Sequence, residues 1–533
     1  MKATPLILIL LSVLLLDCNP SSVDFENLKN PVLTGYAALP LGHATYTMQE
    51  LIEDASDSAL NFEEDSSSLI TFYYRDSVSF KTDTKIVELQ DISHTAQIDL
   101  PATPATASSQ AIPVNTELTF SFNAQDGEKL SAVHYESGFI DLELVSTTVG
   151  NIIYGITVNS TVDQATENPV FFSGNLAGGA TSSNNRDISG YKTNLTNPGD
   201  SNVFTVAVDF TVMLDAGESI SAGDQLELSI DFRDQVFDLV YGYFSQDTIQ
   251  GNGSSVDVSF FNNFGNSGLK FKAPEIILDF HNSYGIPLGI DMSQIYGIDT
   301  VDGTAQQIDL TGTVTNSPQV IAASASPGTQ TSSQISINAS NSSIQDLLEA
   351  TPSVFGFDLL AIANPKNDTS VNFVSSENEF NADLTIKLPL EVSMKDVKRD
   401  LKFDLGSGLD FNGTEAVTIR IASENSLPFL ALLEVEFRDS FDQTLHTVPV
   451  VTVLESPYLD IDGIVTEPRV NVADIPLGEE GIAAMRQSGT QLIVSVYLNT
   501  PGNQGSRDLY YKILSDYYLD INVGVAGELN AEL

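Results

Sequence analysis

Along most of the chain, apolar and polar positions alternate in short runs, and clusters of Gly, Pro, Ser, Thr and Asn separate the runs. A period of two puts one row of side chains on a buried face and the next in water, and the clusters mark strand ends. Val417, Ile419 and Ile421 share one face, with Thr418 and Arg420 on the other. Leu433, Val435 and Phe437 alternate with Glu434, Glu436 and Arg438, and Leu492, Val494, Val496 and Leu498 form a third inward row. One dry and one wet face is the habit of antiparallel sheets. The pattern therefore predicts a mostly β chain of tandem antiparallel β-sandwich domains with a few short helices.

Three segments read as helices. Residues 48–54 follow Thr47 as an N-cap and carry Leu51 and Ile52. In residues 341–350, Ser343 and Asp346 stand at capping-box spacing ahead of Leu347 and Leu348, and Thr351-Pro352 ends the helix. Residues 479–487 carry Ile482, Ala483 and Met485.

An internal repeat aligns residues 275–288 with 416–429: a strand, then Asn282-Ser283 or Asn425-Ser426, then Pro287 or Pro428 and a second apolar run. Asn-Ser turns a chain and proline restarts a strand, so the repeat predicts duplicated sandwich modules. Residues 496–501, with Asn499-Thr500-Pro501, are a fainter echo. The proline-spaced stretch 101–109 and the low-complexity stretch 322–333, AASASPGTQTSS, read as linkers, whereas 174–202 reads as a long loop within a domain. The resulting scheme is a signal peptide (1–17), a tether and small domain (18–100), a linker (101–113), and a sandwich region (114–321). A break near 240 would divide that region into two modules; a second linker (322–340) and a C-terminal sandwich region (341–533) follow.

Composition sharpens the class. The chain has 533 residues with 42% hydrophobic, enough to bury real cores, and 71 Asp and Glu against 23 Lys and Arg give a net charge of −48. A surface of that sign repels phosphate backbones, so nucleic acid is excluded as a partner. No run concentrates the acids, which reads as a solvated surface; the absence of tryptophan counts against a carbohydrate-binding module, leaving one built on the 17 tyrosines.

Residues 5–16 form an apolar run ahead of Asp17 and Cys18, the one cysteine of the chain. About 18 Å of helix is too short for the roughly 30 Å core of a bilayer, so the run is a signal segment. The sequence Leu14-Leu15-Leu16-Asp17-Cys18 resembles a bacterial lipobox, with Asp17 where a small residue is usual. That resemblance implies cleavage before Cys18 and attachment of a lipid to it, hence a membrane partner through the N-terminus. With residues 363–365, 372–374 and 387–391, the chain also resembles large exported lipoproteins of Bacteroidota-type bacteria, which implies an outer-membrane or cell-surface location and no particular chemistry.

Candidate chemistry is sparse. His43, His94, His134, His281 and His446 make no local metal pair, and with Cys18 lipidated no thiolate remains. Calcium is the metal the acids suit best, through Asp460 and Asp462 or through Asp299 and Asp302. Both segments also read as Asp-Gly hairpin turns, the stronger expectation. The expected function is a lipid-anchored envelope protein with a structural, adhesive or assembly role and no catalysis or cofactor, partnering envelope proteins or surface polymers. The alternative is an exported binding protein for an apolar ligand such as a lipid, lined by Phe260, Phe261, Phe264, Phe355 and Phe357. An enzyme acting on polysaccharide ranks third.

Overall fold

In the computed structural model, residues 32–48, 60–80, 86–124, 127–197, 200–250, 253–257, 268–301, 304–404, 414–487, 490–502 and 509–532 are described. They divide into two units, one of residues 1–53 and 393–533, the other of residues 54–392. Strands dominate both, and the ladders among the described residues are antiparallel, as the alternation predicts.

Strand order reveals three copies of one architecture, each set inside the last. Of the strands that build these sets, the first are β1 (Val32–Thr47) and β2 (Ile70–Ser79), the latter edged by the short strand Leu60–Glu64. A run of eight strands comes next: β3 (Ile92–Asp99), β4 (Gln110–Ser121), β5 (Lys129–Ser146), β6 (Asn151–Asp163), β7 (Pro169–Leu176), β8 (Thr181–Asp187), β9 (Val203–Leu214) and β10 (Gln225–Tyr243). Seven more complete the set that β2 began: β11 (Thr248–Gln250), β12 (Glu275–Asn282), β13 (Leu288–Asp291), β14 (Gln319–Ile321), β15 (Thr331–Asn338), β16 (Leu360–Ala363) and β17 (Phe380–Pro389). The last seven complete the set of β1: β18 (Val397–Asp404), β19 (Thr414–Asn425), β20 (Leu430–Arg438), β21 (Thr444–Leu454), β22 (Arg469–Leu477), β23 (Gln491–Asn499) and β24 (Tyr518–Glu532).

Numbering strands one to eight within each set, one sheet always runs 1-8-3-6 and the other 2-7-4-5. In the outer set these are β1-β24-β19-β22 and β18-β23-β20-β21; in the middle set, β2-β17-β12-β15 and β11-β16-β13-β14. The inner set has β3-β10-β5-β8 and β4-β9-β6-β7, joined by residues 191–194, which pair with both β5 and β6. Eight strands in two sheets with this crossing order form a jelly roll. The inner roll is inserted between the first two strands of the middle roll, and the middle roll between the first two of the outer.

Each roll buries its own core. Phe204 packs edge-on against Phe232 at 5.1 Å in the inner roll, and Phe280 stacks on Phe380 at 5.7 Å in the middle roll. In the outer roll Val435, Phe437, Val448, Ile475 and Leu477 form the core, with Val417, Ile419, Ile421, Leu433 and Leu492 packed against it as their alternation predicts. Fully burying one such side chain contributes about 1.5–3 kcal/mol.

The Asn-Ser repeat is the same device in two rolls. At the end of β12, Asn282 Nδ2 donates to the carbonyls of Ile286 (3.1 Å) and Ala322 (3.0 Å), while its Oδ1 accepts the Tyr284 amide at 3.0 Å. At the end of β19, Asn425 Nδ2 donates to Phe429 (2.9 Å) and Glu455 (2.9 Å), and Oδ1 accepts the Leu427 amide at 2.9 Å. Both side chains are fully buried. The next hydroxyl bridges one residue beside the eighth strand: Ser283 Oγ donates to the Glu379 carbonyl and accepts its amide, and Ser426 Oγ does the same with Tyr518. The inner roll has Ser146-Thr147 at this place. Thr147 Oγ1 bridges Gln225 in the same way, but the buried Ser146 Oγ has no partner.

Several boundaries differ from the expected ones. The stretch 322–340 is no linker, because β15 pairs with β12 along its whole length and the preceding turn is tied by Ser324 Oγ to Thr329. The stretch 101–113 lies within the inner roll, bridged from Thr103 to Ile220, and continues into β4. Residues 18–100 contain first strands of all three rolls rather than a small domain, and the loop expected at 174–202 holds strand β8, paired with β5.

Helix α1 (Ile344–Glu349) is shorter than 341–350, and Ser343 Oγ accepts from the Thr311 amide and hydroxyl instead of capping it. Helix α2 (Glu479–Arg486) stands at its expected place. Both join the sixth to the seventh strand of their rolls. Of the helix expected at 48–54, all but Met48 lies outside the described residues.

Candidate functional site

Two features of the 54–392 unit stand apart from packed core and solvated surface. The first is an open groove of about 420 Å³ between the inner and middle rolls. It forms because β10 continues past a bulge at residues 233–237 and pairs, through Leu239–Gly242, with residues 372–375 of the middle roll. Buried Val87 and Val374 line it together with Val236, Phe237 and Tyr284. Burial pushes the Tyr284 phenol above its ordinary pKa. Gln235 donates from Nε2 to the Gln90 carbonyl at 2.7 Å, while its Oε1 is shielded from solvent without a partner. Such a groove suits a small apolar group carrying one hydrogen-bond donor.

The second feature is the outward face of β4-β9-β6-β7 in the inner roll. Ile153 and Phe171 are about half exposed, and Met213 is exposed on the same face. Register places Phe171 opposite Thr157, Ile153 opposite Thr211, and Met213 opposite Asn151, so the three run diagonally across β7, β6 and β9. These four strands contain no Lys, Arg or His, and their acids are Glu117, Asp209 and the terminal Asp163. The outward faces of β2-β17-β12-β15 and β1-β24-β19-β22 instead carry paired polar groups: Arg75 to Glu63 and Arg420 to Asp474 as ion pairs, with His281 3.2 Å from Asp383 and His43 3.0 Å from Asp520.

His281 sits at the centre of a Ser-His-Asp line, with Nδ1 3.1 Å from Ser332 Oγ and Nε2 3.2 Å from Asp383 Oδ2. All three belong to adjacent strands of a flat sheet face, and Asp383 is two-thirds exposed. Nucleophilic chemistry needs a cleft with donors aimed at a developing oxyanion. On this open face the line ties three strands together. The other histidines are scattered: His94 stacks on Phe120 at 5.2 Å, His446 faces Glu480 at 3.7 Å, and burial lowers the pKa of His134.

Of the calcium candidates, Asp460 closes a turn: its Oδ1 accepts the amides of Asp462 and Ile464 at 2.9 Å each, and Gly463 within the turn has φ +75°. Asp299 lies on a strand, opposite Gln306 of the next. Asp302, like Cys18, lies outside the described residues. Among the described residues no three His, Cys, Asp or Glu side chains converge as a metal site. Phe355 and Phe357, expected as ligand linings, are fully buried core, and residues 260–264 lie outside the described ones.

No family model matches the chain, and no curated protein matches it. Among solved structures it is similar to a "putative secreted protein from Parabacteroides distasonis" at 11% identity and a TM-score of 0.32, over 55% of this chain and 90% of that one. It is similar to infectious bursal disease virus, Gx strain, at 9% identity and a TM-score of 0.12, over 84% and 83%. The VP2 subviral particle of that virus gives 7% identity and 0.11, over 85% and 84%. Scores this low leave the architecture resting on the strand order itself.

Sequence reading missed both features. The groove joins residues more than a hundred positions apart and has no local signature. Phe171 did leave a signal: in a strand, Phe171 and Phe172 cannot both point inward, and Phe172 is the buried one.

Proposed function

We propose that this is a lipid-anchored cell-envelope protein without catalysis, attached through Cys18, whose inner roll presents a binding face to an external partner. The observation that carries the reading is the β4-β9-β6-β7 face, which exposes Phe171, Ile153 and Met213 and lacks the charged pairs found on the β2-β17-β12-β15 and β1-β24-β19-β22 faces. The three apolar side chains are spaced along one diagonal of a face without Lys, Arg or His, which sets them apart from those charged faces. The Ser332-His281-Asp383 line, set on an open sheet, favours a role without bond-breaking. A second reading, uptake of a small apolar ligand, is favoured by the groove at Gln235 and Tyr284.

The test is membrane partition and intact mass of the full chain expressed in a Bacteroidota host, beside Cys18→Ala. The expected result is wild type in the membrane fraction, beginning at Cys18 and carrying acyl mass, with the variant released. Equal solubility and no acyl mass would contradict the reading.

A further inference from the structure

We propose that the outward face of β4-β9-β6-β7 docks a neutral polysaccharide chain, an inference that rests on the display reading and names the chemistry of its partner. The central group is Phe171. A Cβ built on Gly155 would meet Phe171 Cε2 at 3.3 Å and Cζ at 3.4 Å, so the ring leans over the bare backbone of the neighbouring strand. A ring packed against the sheet on one side and half exposed overall offers an apolar surface to solvent. The C–H faces of sugar rings are flat and apolar, and they stack on aromatic faces for the dispersion and quadrupole attraction those faces supply.

The surroundings fit hydroxyl groups. Asn151, Asn175 and Ser173 are exposed beside Ile153 and Phe171, and each can donate as well as accept. Sugar hydroxyls need that mixed capacity, whereas a carboxylate-lined face would only accept. Phe171 is level with Thr157, four residues along β6 from Ile153, and Met213 is two residues further, so the diagonal crosses three strands and spans about 22 Å at the usual strand spacing and rise, a track rather than a pit for a linear polymer.

Charge selects the class of polymer. A polyanion requires cations, and these four strands hold none, on a chain of net charge −48. A polycation would find stronger purchase on the acid-rich surface elsewhere than on a face whose acids are Glu117, Asp209 and Asp163. An uncharged chain of hydroxylated rings meets no electrostatic penalty and matches both the ring and the amides.

The experiment is native gel electrophoresis of the full chain through gels cast with neutral glucan, mannan, galactan or xylan, comparing wild type with Phe171→Ala and Phe171→Tyr. Thermal melting of each variant checks that the fold is kept. Retardation of wild type in at least one gel is expected, weakened tenfold or more by Phe171→Ala and retained by Phe171→Tyr, at unchanged melting temperature. Absence of retardation in every gel, or retardation equal in wild type and Phe171→Ala, overturns the proposal. A concentration-dependent dimer in sedimentation that Phe171→Ala abolishes also overturns it, because the face would then be an interface between copies. Membrane partition of the same wild-type protein separates the two readings. A lipidated chain that ignores all four glycans removes the polysaccharide and leaves display standing, whereas an unlipidated soluble chain removes display whatever the gels show.

Discussion

Asn282 and Asn425 show how much one buried amide can fix. Each satisfies two carbonyls and one amide at the turn where its roll passes from the third strand to the fourth. Replacing either with alanine strands those buried groups, and an unsatisfied buried group costs about 1–3 kcal/mol. Asn282→Ala and Asn425→Ala should therefore each lower unfolding stability by about 3 kcal/mol in denaturant titration. Ser146→Ala, at the equivalent place of the inner roll, should change it by less than about 1 kcal/mol, because its hydroxyl is already unpartnered. Equal losses at all three positions would show that the turn, and not the amide, holds the corner. Two copies of this device were legible because Asn-Ser and Pro recur with the strand before them. The third was not, since Ser146-Thr147 keeps the bridging hydroxyl and discards the asparagine.

At the scale of elements, strands with a clean apolar row were readable and polar ones were not. The rows of β19 and β20 can be traced from their alternation alone, whereas β23 buries Ile493 and Ser495 on the face opposite the expected Leu492 row. Strand β8, TSSNNRD, has no apolar row, because it lies at a sheet edge and is held by pairing with β5. The low-complexity stretch 322–333 misled for a related reason: small residues that would suit a linker also suit a tight connection, here fastened by Ser324, Ser326 and Thr329. Helix α1 was legible through its Leu347-Leu348 pair and its stop at Thr351-Pro352, whereas the partner of Ser343 was not. A capping box is a local pattern, and Thr311 lies 32 residues away.

For the whole molecule, the class of fold could be read and the nesting could not. A serial scheme of domains follows from local breaks, but the outer roll pairs Val32 with Glu532, and no local pattern reports a ladder across that separation. Charge acts at this scale too. With 71 acids and 23 Lys and Arg, self-repulsion should dominate at low ionic strength, so the melting temperature at pH 7 should rise between 10 mM and 500 mM NaCl as screening shortens from about 30 Å to a few ångströms. A fall would mean that the surface ion pairs outweigh the repulsion.

Acid should act in the opposite direction. The Asp520 carboxyl is held below its ordinary pKa by His43 and then Thr45, Asp474 by Arg420, and Asp163 and Asp187 by turn hydrogen bonds. A lowered folded-state value contributes stability that is complete above the unfolded value near 3.9 and is lost as pH falls through the folded one. Stability should therefore drop below about pH 4.

The nested arrangement is tested most directly by a cross-link that only nesting permits. In the outer roll Thr45 stands opposite Asp520 and Tyr46 opposite Leu519, with Thr45 Oγ1 donating to Asp520 Oδ2 at 2.8 Å. In a Cys18→Ala background, the pairs Thr45→Cys with Asp520→Cys and Tyr46→Cys with Leu519→Cys should each be oxidised and their thiol content measured. Alternate antiparallel pairs approach to about 4.5 and 5.5 Å between Cα atoms, within disulfide reach. Nesting predicts an intramolecular disulfide in at least one pair, with no dimer on a non-reducing gel. Free thiols in both, under conditions that oxidise a control peptide, would mean that the first and last strands do not pair and that the three rolls are not set one inside another.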